Sequence, residues 1–515
     1  MKRLNNWPQG KQSKYIDMSI SLTRYLRAII VIFLSAYFLI IPSIEIIRHL
    51  YDPGLINGSM CSFLYRWHRD LSSEYEAWAR QRLASDEATQ LTIENVSGTE
   101  WPLFGSVFYL WATEALQAAW EENHSLSDIA PAKYAKGAIE ASTALVAEPA
   151  HASWVKKHWG DEYLEKENLF YRMLLIHAMT SYQRLLHDTR YESLLIQQVN
   201  SLAEELDASP YGLLDDYPGQ CYPVDILPAY VGIQRADMLL GLDHSDVLVR
   251  GIRAFQENRL DSSIGLPAYN VDSETGYHLG PARGVGMSFM LIWAPELWPD
   301  TANEWYQKYE QHFWQESWLS KGFREFEQSH SFDRNWVIEV DAGPVLAGYG
   351  VGASAFGIGA ARANGRMDHA YPLSSLALIG AWRLPDGTLP IPRLLSDLID
   401  APYLGETALL FSLTRRPITP VTQKTNRNIP LLVWLVTGTT IIIGLLLSIR
   451  SIVEIKRIRT GTDPYVIQLA GLQLAFRGLL LLFAVFVFAI YGSIAGQIAL
   501  LIALIFPYIQ KKKIA

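Results

Sequence analysis

Only two cysteines, Cys61 and Cys221, occur in the 515 residues. That is too few for a disulfide framework, although the two could pair in an oxidising compartment. Phosphate-loop, HExxH and paired CxxC patterns are absent, so neither nucleotide nor structural zinc has a motif behind it, and no metal or cofactor is expected. A basic surface is missing too. The net charge is −8, whereas nucleic acid would require Lys and Arg gathered against phosphate. No nucleic-acid partner is expected. Alternating strand patterns are also lacking. The glycines of VLAGYGVGASAFGIGAAR (345–362) have dinucleotide-loop spacings, but no strand pattern precedes them. Small residues every three or four positions fit a tightly packed inner helix instead.

The negative charge is concentrated in the middle of the chain. Residues 1–27 hold six Lys/Arg against one Asp (+5) and residues 445–515 hold eight against two acids (+6), so a total of −8 leaves −19 for residues 28–444. Basic ends beside apolar runs point to a membrane partner. Residues 28–47 read AIIVIFLSAYFLIIPSIEII and residues 430–449 read PLLVWLVTGTTIIIGLLLSI, each long enough to cross a hydrocarbon core of roughly 30 Å. The apolar region 464–509 makes two further spans, with YGS at 491–493 as the turn. The positive-inside rule keeps residues 1–27 and the loop 450–463 in the cytoplasm. This gives a multi-pass protein of the cytoplasmic (inner) membrane, with its main domain, residues 55–425, outside or periplasmic.

That domain reads as all-α. Segments such as VFYLWATEALQAAW (107–120), NLFYRMLLIHAMTSYQRLLHD (168–188) and VDILPAYVGIQRADMLLGL (224–242) place apolar residues at three- and four-residue spacing. Loops rich in Pro, Gly and Asp separate them. Roughly a dozen helices over this length fit an (α/α)6 toroid flanked by transmembrane helices, with an irregular helical bundle as the alternative.

Acid–base chemistry needs carboxyls held about a bond. Asp225 opens a helix, where the dipole favours a carboxylate. It serves either as an acid–base group or merely as a helix-start charge. GFREFEQ (322–328) and IEVDAGP (338–344) supply Arg324, Glu325 and Asp341. Arg283 could bind a substrate anion bidentately or pair with one of these acids. Within YPGQCYPVD (217–225), Pro218, Gly219 and Pro223 stiffen the backbone around Tyr217, Cys221 and Tyr222, as a pocket floor requires. Cys221 would act as a nucleophile only beside a cation or His that lowered its pKa. The 16 Trp, 26 Tyr and 19 Phe serve as core or as substrate platforms.

ENLFYRMLLIHAMTSYQRLLHDTRYESLL (167–195) followed by GQCYPVDILPAY (219–230) resembles the linalool dehydratase/isomerase-like family. Asn168 and Tyr171 match its Asn-x-x-Tyr helix, Asp188 to Tyr191 its link to the next helix, and Cys221 with Pro223 its Cys-x-Pro loop. The resemblance implies the (α/α)6 fold and places Asn168 and Tyr171 beside the pocket as substrate-binding residues. The chain departs from the family's dehydratases at Phe170, Leu174 and Tyr222, where they carry Met, His and Glu. The expectation is a membrane-anchored, outward-facing enzyme of lyase or isomerase type acting on a small or lipid-like hydroxylated substrate. Two alternatives stand beside it: a polysaccharide hydrolase or lyase of (α/α)6 type, and a non-catalytic glycan- or lipid-binding envelope protein. Topology is directly testable. Reporters fused after residue 250 and at the C-terminus should report outside and inside respectively, and a cytoplasm-dependent reporter active at the first position would overturn the scheme.

Overall fold

The computed structural model describes residues 9–85, 87–258, 260–328, 335–421, 428–460, 465–466 and 511–512. The spans expected over 464–509 therefore lie almost wholly outside the described residues. The chain divides into two compact units, one of Met1–Ile47, Trp382–Pro385 and Leu435–Ala515, the other of Arg48–Ala381 and Asp386–Trp434.

Two helices of the chain, Leu22–Leu50 and Leu431–Thr460, are long and apolar enough to cross a membrane. The first contains Pro42, whose ring is aimed at the preceding turn. That turn is a π-helical loop, Ala36–Ile40, which absorbs the clash without ending the helix. The second runs on to Thr460, so most of the loop expected at 450–463 is helical, because no Gly or Pro lies between Arg450 and Thr460. In the first unit Arg24 Nε and Arg27 Nη2 pair with Glu454 at 3.0 and 2.7 Å, and Ser43 Oγ meets Thr440 Oγ1 at 2.7 Å. Early residues of one helix thus face late residues of the other, and the two run antiparallel. Gly444 allows the approach, since a Cβ there would come within 2.7 Å of Ile40 Cγ1.

The second unit is built from helices: α1 (Ser62–Ala84), α2 (Glu100–Glu122), α3 (Lys136–Ala147), α4 (Leu169–Leu186), α5 (Glu192–Ala208), α6 (Pro223–Leu240), α7 (Ser245–Asn258), α8 (Gly284–Leu297), α9 (Pro299–Phe313), α10 (Val351–Ala363), α11 (Met367–Ala381), α12 (Pro390–Leu398) and α13 (Leu404–Thr414). Six of them form a closed circuit of contacts. α2 packs on α4, α4 on α6, α6 on α8, α8 on α10, α10 on α13, and α13 back on α2. The others attach outside this circuit, as α3 does to α2 and α4, α9 to α8, and α11 to α10. The sequence explains the division. α8 is apolar on every side and buries every residue from Gly284 to Pro295, whereas α9 keeps an acidic and polar face and buries only one stripe.

Aromatic rings fill the centre of the circuit. Phe108 of α2 stacks on Phe411 of α13 at 5.4 Å, Phe411 on Trp293 of α8 at 5.5 Å, and Trp293 meets Trp111 edge-on at 4.5 Å. Toward the C-terminal ends of these helices an ion network lies over Trp293. Glu296 accepts from Arg235 at 2.7 Å and from Arg415 at 2.5 Å, and both guanidinium groups sit over the indole, at 5.2 and 4.7 Å.

Short strands, not expected from the sequence, connect α9 to α10. β1 (Trp314–Glu316) pairs antiparallel with β2 (Lys321–Phe323), and β3 (Trp336–Glu339), β4 (Gly343–Leu346) and β5 (Tyr349–Gly350) form a small antiparallel sheet. The stretch 345–362 is therefore helical only from Val351. There its small residues do permit close packing, for a Cβ on Gly357 would lie 2.5 Å from Phe323 Cδ2.

Because Glu296 is held ionised between two buried arginines, removing its charge leaves both without compensation. Glu296→Gln should cost about 3–5 kcal/mol, read as a lowered denaturation midpoint of the full chain in detergent. A loss under about 1 kcal/mol, the worth of a surface pair, would show that the network does not hold the circuit together.

Candidate acid–base site

The N-terminal ends of the circuit helices carry the acidic groups. Glu100 is the first residue of α2, Asn168 directly precedes α4, Asp225 lies in the first turn of α6, and Arg283 directly precedes α8. The loop before α6 is fixed from within. Asp215 Oδ2 accepts from Gly219 N at 2.6 Å and Asp216 Oδ2 from Tyr222 N at 2.7 Å. Gly219 takes the left-handed φ of 77° that closes the turn. Cys221 is buried and accepts a backbone bond from Val271 N at 3.0 Å. Both cysteines are free thiols, so the possible Cys61–Cys221 pair does not form.

Three tyrosines organise the carboxyls. Tyr217 Oη donates to Glu100 Oε1 at 2.8 Å and Tyr269 Oη to Asp341 Oδ2 at 2.6 Å. The rings of Tyr222 and Tyr269 meet edge-on at 5.7 Å. Asp225 is 8% exposed, and among the described residues its carboxylate has no hydrogen-bond partner. Burial first, then Glu100 and Asp341, push it up to about 8. Burial also pushes Glu100 up to about 7, against the hydrogen bond from Tyr217 and with the help of Asp341. Asp216, fully buried beside Asp225, is likewise raised well above the usual range. The helix dipole at the α2 and α6 starts favours ionisation by about 0.3–1 kcal/mol, under one pK unit. Burial and like charge therefore win.

Arg283 is committed to the protein. Its Nε donates to Glu325 Oε1 at 2.7 Å, a second nitrogen lies 3.4 Å from Glu339 Oε2, and the guanidinium covers Tyr269 at 4.6 Å. Glu325 also accepts from Val285 N at 3.0 Å, which caps α8; its burial raises it to about 7 despite Arg283. Arg324 bonds Gln315, Asn335 and the Phe326 carbonyl.

The sequence-derived candidates thus separate. Asp225, Tyr222, Tyr217 and Asp341 share one electrostatic cluster, and Arg283 with Glu325 joins it through Tyr269. Tyr171 is directed elsewhere, fully buried with its hydroxyl donating to Val146 O of α3 at 2.8 Å. Asn168 donates to Tyr163 O at 2.8 Å from a left-handed conformation, φ 50°. Sequence reasoning missed Glu100, Asp216 and Tyr269. The Asp215–Asp216 doublet stands in a loop rich in Gly, Pro and Asp, and Glu100 precedes the helical pattern read over 107–120, so no local pattern marks either. Below Tyr217 the surroundings turn apolar. Its ring lies 5.9 Å from Phe170, which lies 5.1 Å from Phe104, and Phe104 reaches Phe289 at 6.5 Å.

Among the described residues one group has metal-ligand geometry, Glu310, Asp368 and His369. It encloses Arg366, which bonds Glu310 at 2.6 Å and Asp368 at 2.7 Å, so a cation already supplies the charge. No protein-family model and no curated protein matches the chain.

The raised carboxyl carries a stability signature. An unfolded chain releases the Asp225 proton near pH 4, whereas the folded chain keeps it to about pH 8. The folded state therefore loses stability as pH rises across that window and regains none above it. Asp225→Asn should be more stable than wild type at pH 9 by more than about 1.4 kcal/mol, the worth of one pK unit. The difference should shrink toward pH 4. A gain independent of pH would show that Asp225 ionises normally.

Proposed function

We propose that the chain is a membrane-anchored (α/α)6 enzyme that eliminates water from, or isomerises, a hydroxylated and largely apolar small molecule, as its resemblance to the linalool dehydratase/isomerase-like family implies. The toroid reading is supported by the closed circuit α2–α4–α6–α8–α10–α13 with further helices outside it. Membrane anchoring is supported by the two long apolar helices and by the exposed Ile29, Phe33, Ile442 and Leu446 on them, 43 to 63% accessible. On this reading the helices traverse the inner membrane, and the domain between them faces outward.

The single observation that carries the chemistry is the pair Glu100 and Asp225 in one cluster, both pushed up by burial, Glu100 accepting from Tyr217 and Asp225 without a hydrogen-bond partner among the described residues. A hydrogen bond donated to one carboxyl favours its ionised form, whereas burial without one favours the protonated form of the other, and this difference in surroundings assigns their roles. Asp225 holds its proton near neutrality and gives it to the departing hydroxyl, which leaves as water when the C–O bond breaks. Glu100, favoured as a carboxylate by the hydrogen bond from Tyr217, takes the proton from the neighbouring carbon, and those C–H electrons form the double bond. Tyr217 steadies Glu100, and the Phe170–Phe104–Phe289 face accepts the hydrocarbon portion.

Glycoside hydrolysis by the same two carboxyls is the second reading, favoured by the Tyr222 and Tyr269 rings at the rim. It needs a water where the first reading needs a C–H bond. The non-catalytic lipid- or glycan-binding reading predicts binding without turnover.

Purified full-length protein should be offered tertiary allylic alcohols and, separately, oligosaccharides, with products followed by chromatography. Dehydration of the alcohols is expected, with a narrow pH optimum between about 7 and 8, because the base must be ionised and the acid protonated. Asp225→Asn and Glu100→Gln should each lose about 10²–10⁴-fold in turnover while remaining folded. Tyr171→Phe should stay within a few-fold of wild type. Cleavage of glycans alone would replace the first reading by the second, and binding without turnover of either class would overturn both.

A further inference from the structure

Helix α12 is amphipathic with its apolar side turned outward. Pro390, Pro392 and Ser396 are buried, while Ile391, Leu395, Leu398 and Ile399 are 40, 42, 57 and 46% exposed. Their spacing puts all four on one stripe. The inward side is settled by Arg393, which pairs with Glu406 at 3.0 Å and Glu74 at 2.8 Å and lies 3.6 Å over the Tyr403 ring. Nothing within the chain's described residues requires the stripe to face outward.

A second exposed apolar residue sits on the turn between β1 and β2. Trp318 is 79% exposed. The next carbonyl, Leu319 O, accepts from Leu432 N at 3.0 Å, and Leu432 is the second residue of the apolar helix Leu431–Thr460. α12 has a matching connection by chain continuity. The segment Trp382–Pro385, which leads into it, groups with the apolar helices and not with the helices on either side, and Arg383 lies 3.4 Å from Glu45 of the first apolar helix. Trp318 is thus next to a residue bonded to the first turn of one apolar helix, and α12 follows in the chain, after four residues, a segment that packs with the other.

We propose that the α12 stripe and Trp318 rest in the headgroup region of the outer leaflet, so that the exported domain lies on a lipid surface as well as being tethered to it. The proposal rests on reading Leu22–Leu50 and Leu431–Thr460 as membrane spans. Lipid is the occupant the chemistry favours. An indole at the foot of a span matches the aromatic preference of the bilayer interface, and a short helix with an outward apolar stripe is the form that lies in the interfacial plane. Asp397 and Asp400 flank the stripe and no lysine does, so docking depends on apolar burial and not on anionic headgroups.

The test uses the full chain in phosphatidylcholine nanodiscs with a spin label placed at one introduced thiol at a time: Trp318→Cys, Leu395→Cys, Glu204→Cys as an exposed control on α5, and Ile442→Cys as a control within the span. Cys61 and Cys221 are 0 and 1% exposed and stay unlabelled. Labels at 318 and 395 should collide with oxygen more and with a water-soluble nickel chelate less than the label at 204, approaching the behaviour at 442. Labels at 318 and 395 as open to the chelate as that at 204, with 442 still shielded, would overturn docking and leave the spans standing. A label at 442 open to the chelate would overturn the span reading and docking together. Shielding of 395 from both reagents, with dipolar broadening between chains, would assign the stripe to a second copy and likewise overturn the proposal.

Discussion

Glu296 between Arg235 and Arg415 is the constraint from which the rest of the helical unit follows. The three residues come from the ends of α6, α8 and α13, so no two of these helices can slide without breaking a buried pair. Glu114 of α2 lies 3.7 Å from the same Arg235, which ties a fourth helix to the network. Charges this deep persist only if every one is compensated, and Arg235 and Arg415 hold Glu296 down to about 2 although burial acts the other way. The indole of Trp293 beneath adds a cation–π surface to both guanidinium groups. His177 belongs to the same floor. The Trp111 indole N–H can only donate, so it fixes His177 Nδ1 as acceptor at 3.2 Å and Nε2 as donor to Pro228 O at 2.8 Å. Burial keeps that ring neutral, at about 3.

With one end neutralised in this way, the other end is free to be unbalanced. Glu100, Asp216, Asp225 and Asp341 gather where the helices begin, and Arg283, which covers Tyr269, is spent on Glu325 and Glu339. Helix starts ordinarily favour anions, yet Asp225 keeps its proton near neutrality and Glu100 and Asp216 are raised as well, because desolvation and mutual repulsion exceed the dipole. The cluster costs folding free energy at neutral pH, as functional sites often do. A cluster selected for stability alone would carry amides here, which fit the same space without repulsion.

How much of this was legible in the sequence depended on whether the signal was local. The apolar helices were legible, since runs of twenty predominantly apolar residues have few other readings, and so was the helical character of α2, α4 and α6, set by their periodicity. Asp225 was legible because Pro223 marks a helix start just before it. Glu100 was not, since its meaning comes from Tyr217, 117 residues away, and Asp216 was not, since its burial is imposed by a loop whose composition reads as exposed. Tyr171 is the converse case. A motif match put it beside the site, but its hydroxyl is satisfied by Val146 O in the packing between α3 and α4. The strands between α9 and α10 escaped for a third reason. They are two to four residues long, shorter than any window in which period-two alternation can be told from chance.

The β1–β2 hairpin joins the two themes of the molecule. Its tip carries Trp318, bonded through the next residue to the foot of an apolar helix, and its second strand leads within two residues to Glu325 and the Arg283 pair. Arg324 N returns to Phe313 O at 2.8 Å, which extends the ladder and leaves little freedom between tip and base. Phe323 on β2 is wedged against Gly357 of α10, so the hairpin is seated on a circuit helix and cannot swing as a flap. On the function proposed above, an apolar substrate would pass from the tip toward the carboxyls, with Tyr269 and Tyr222 on its polar side and the Phe170–Phe104 face receiving its hydrocarbon. On that proposal a soluble polysaccharide would gain nothing from the arrangement, whereas a membrane-dissolved substrate would.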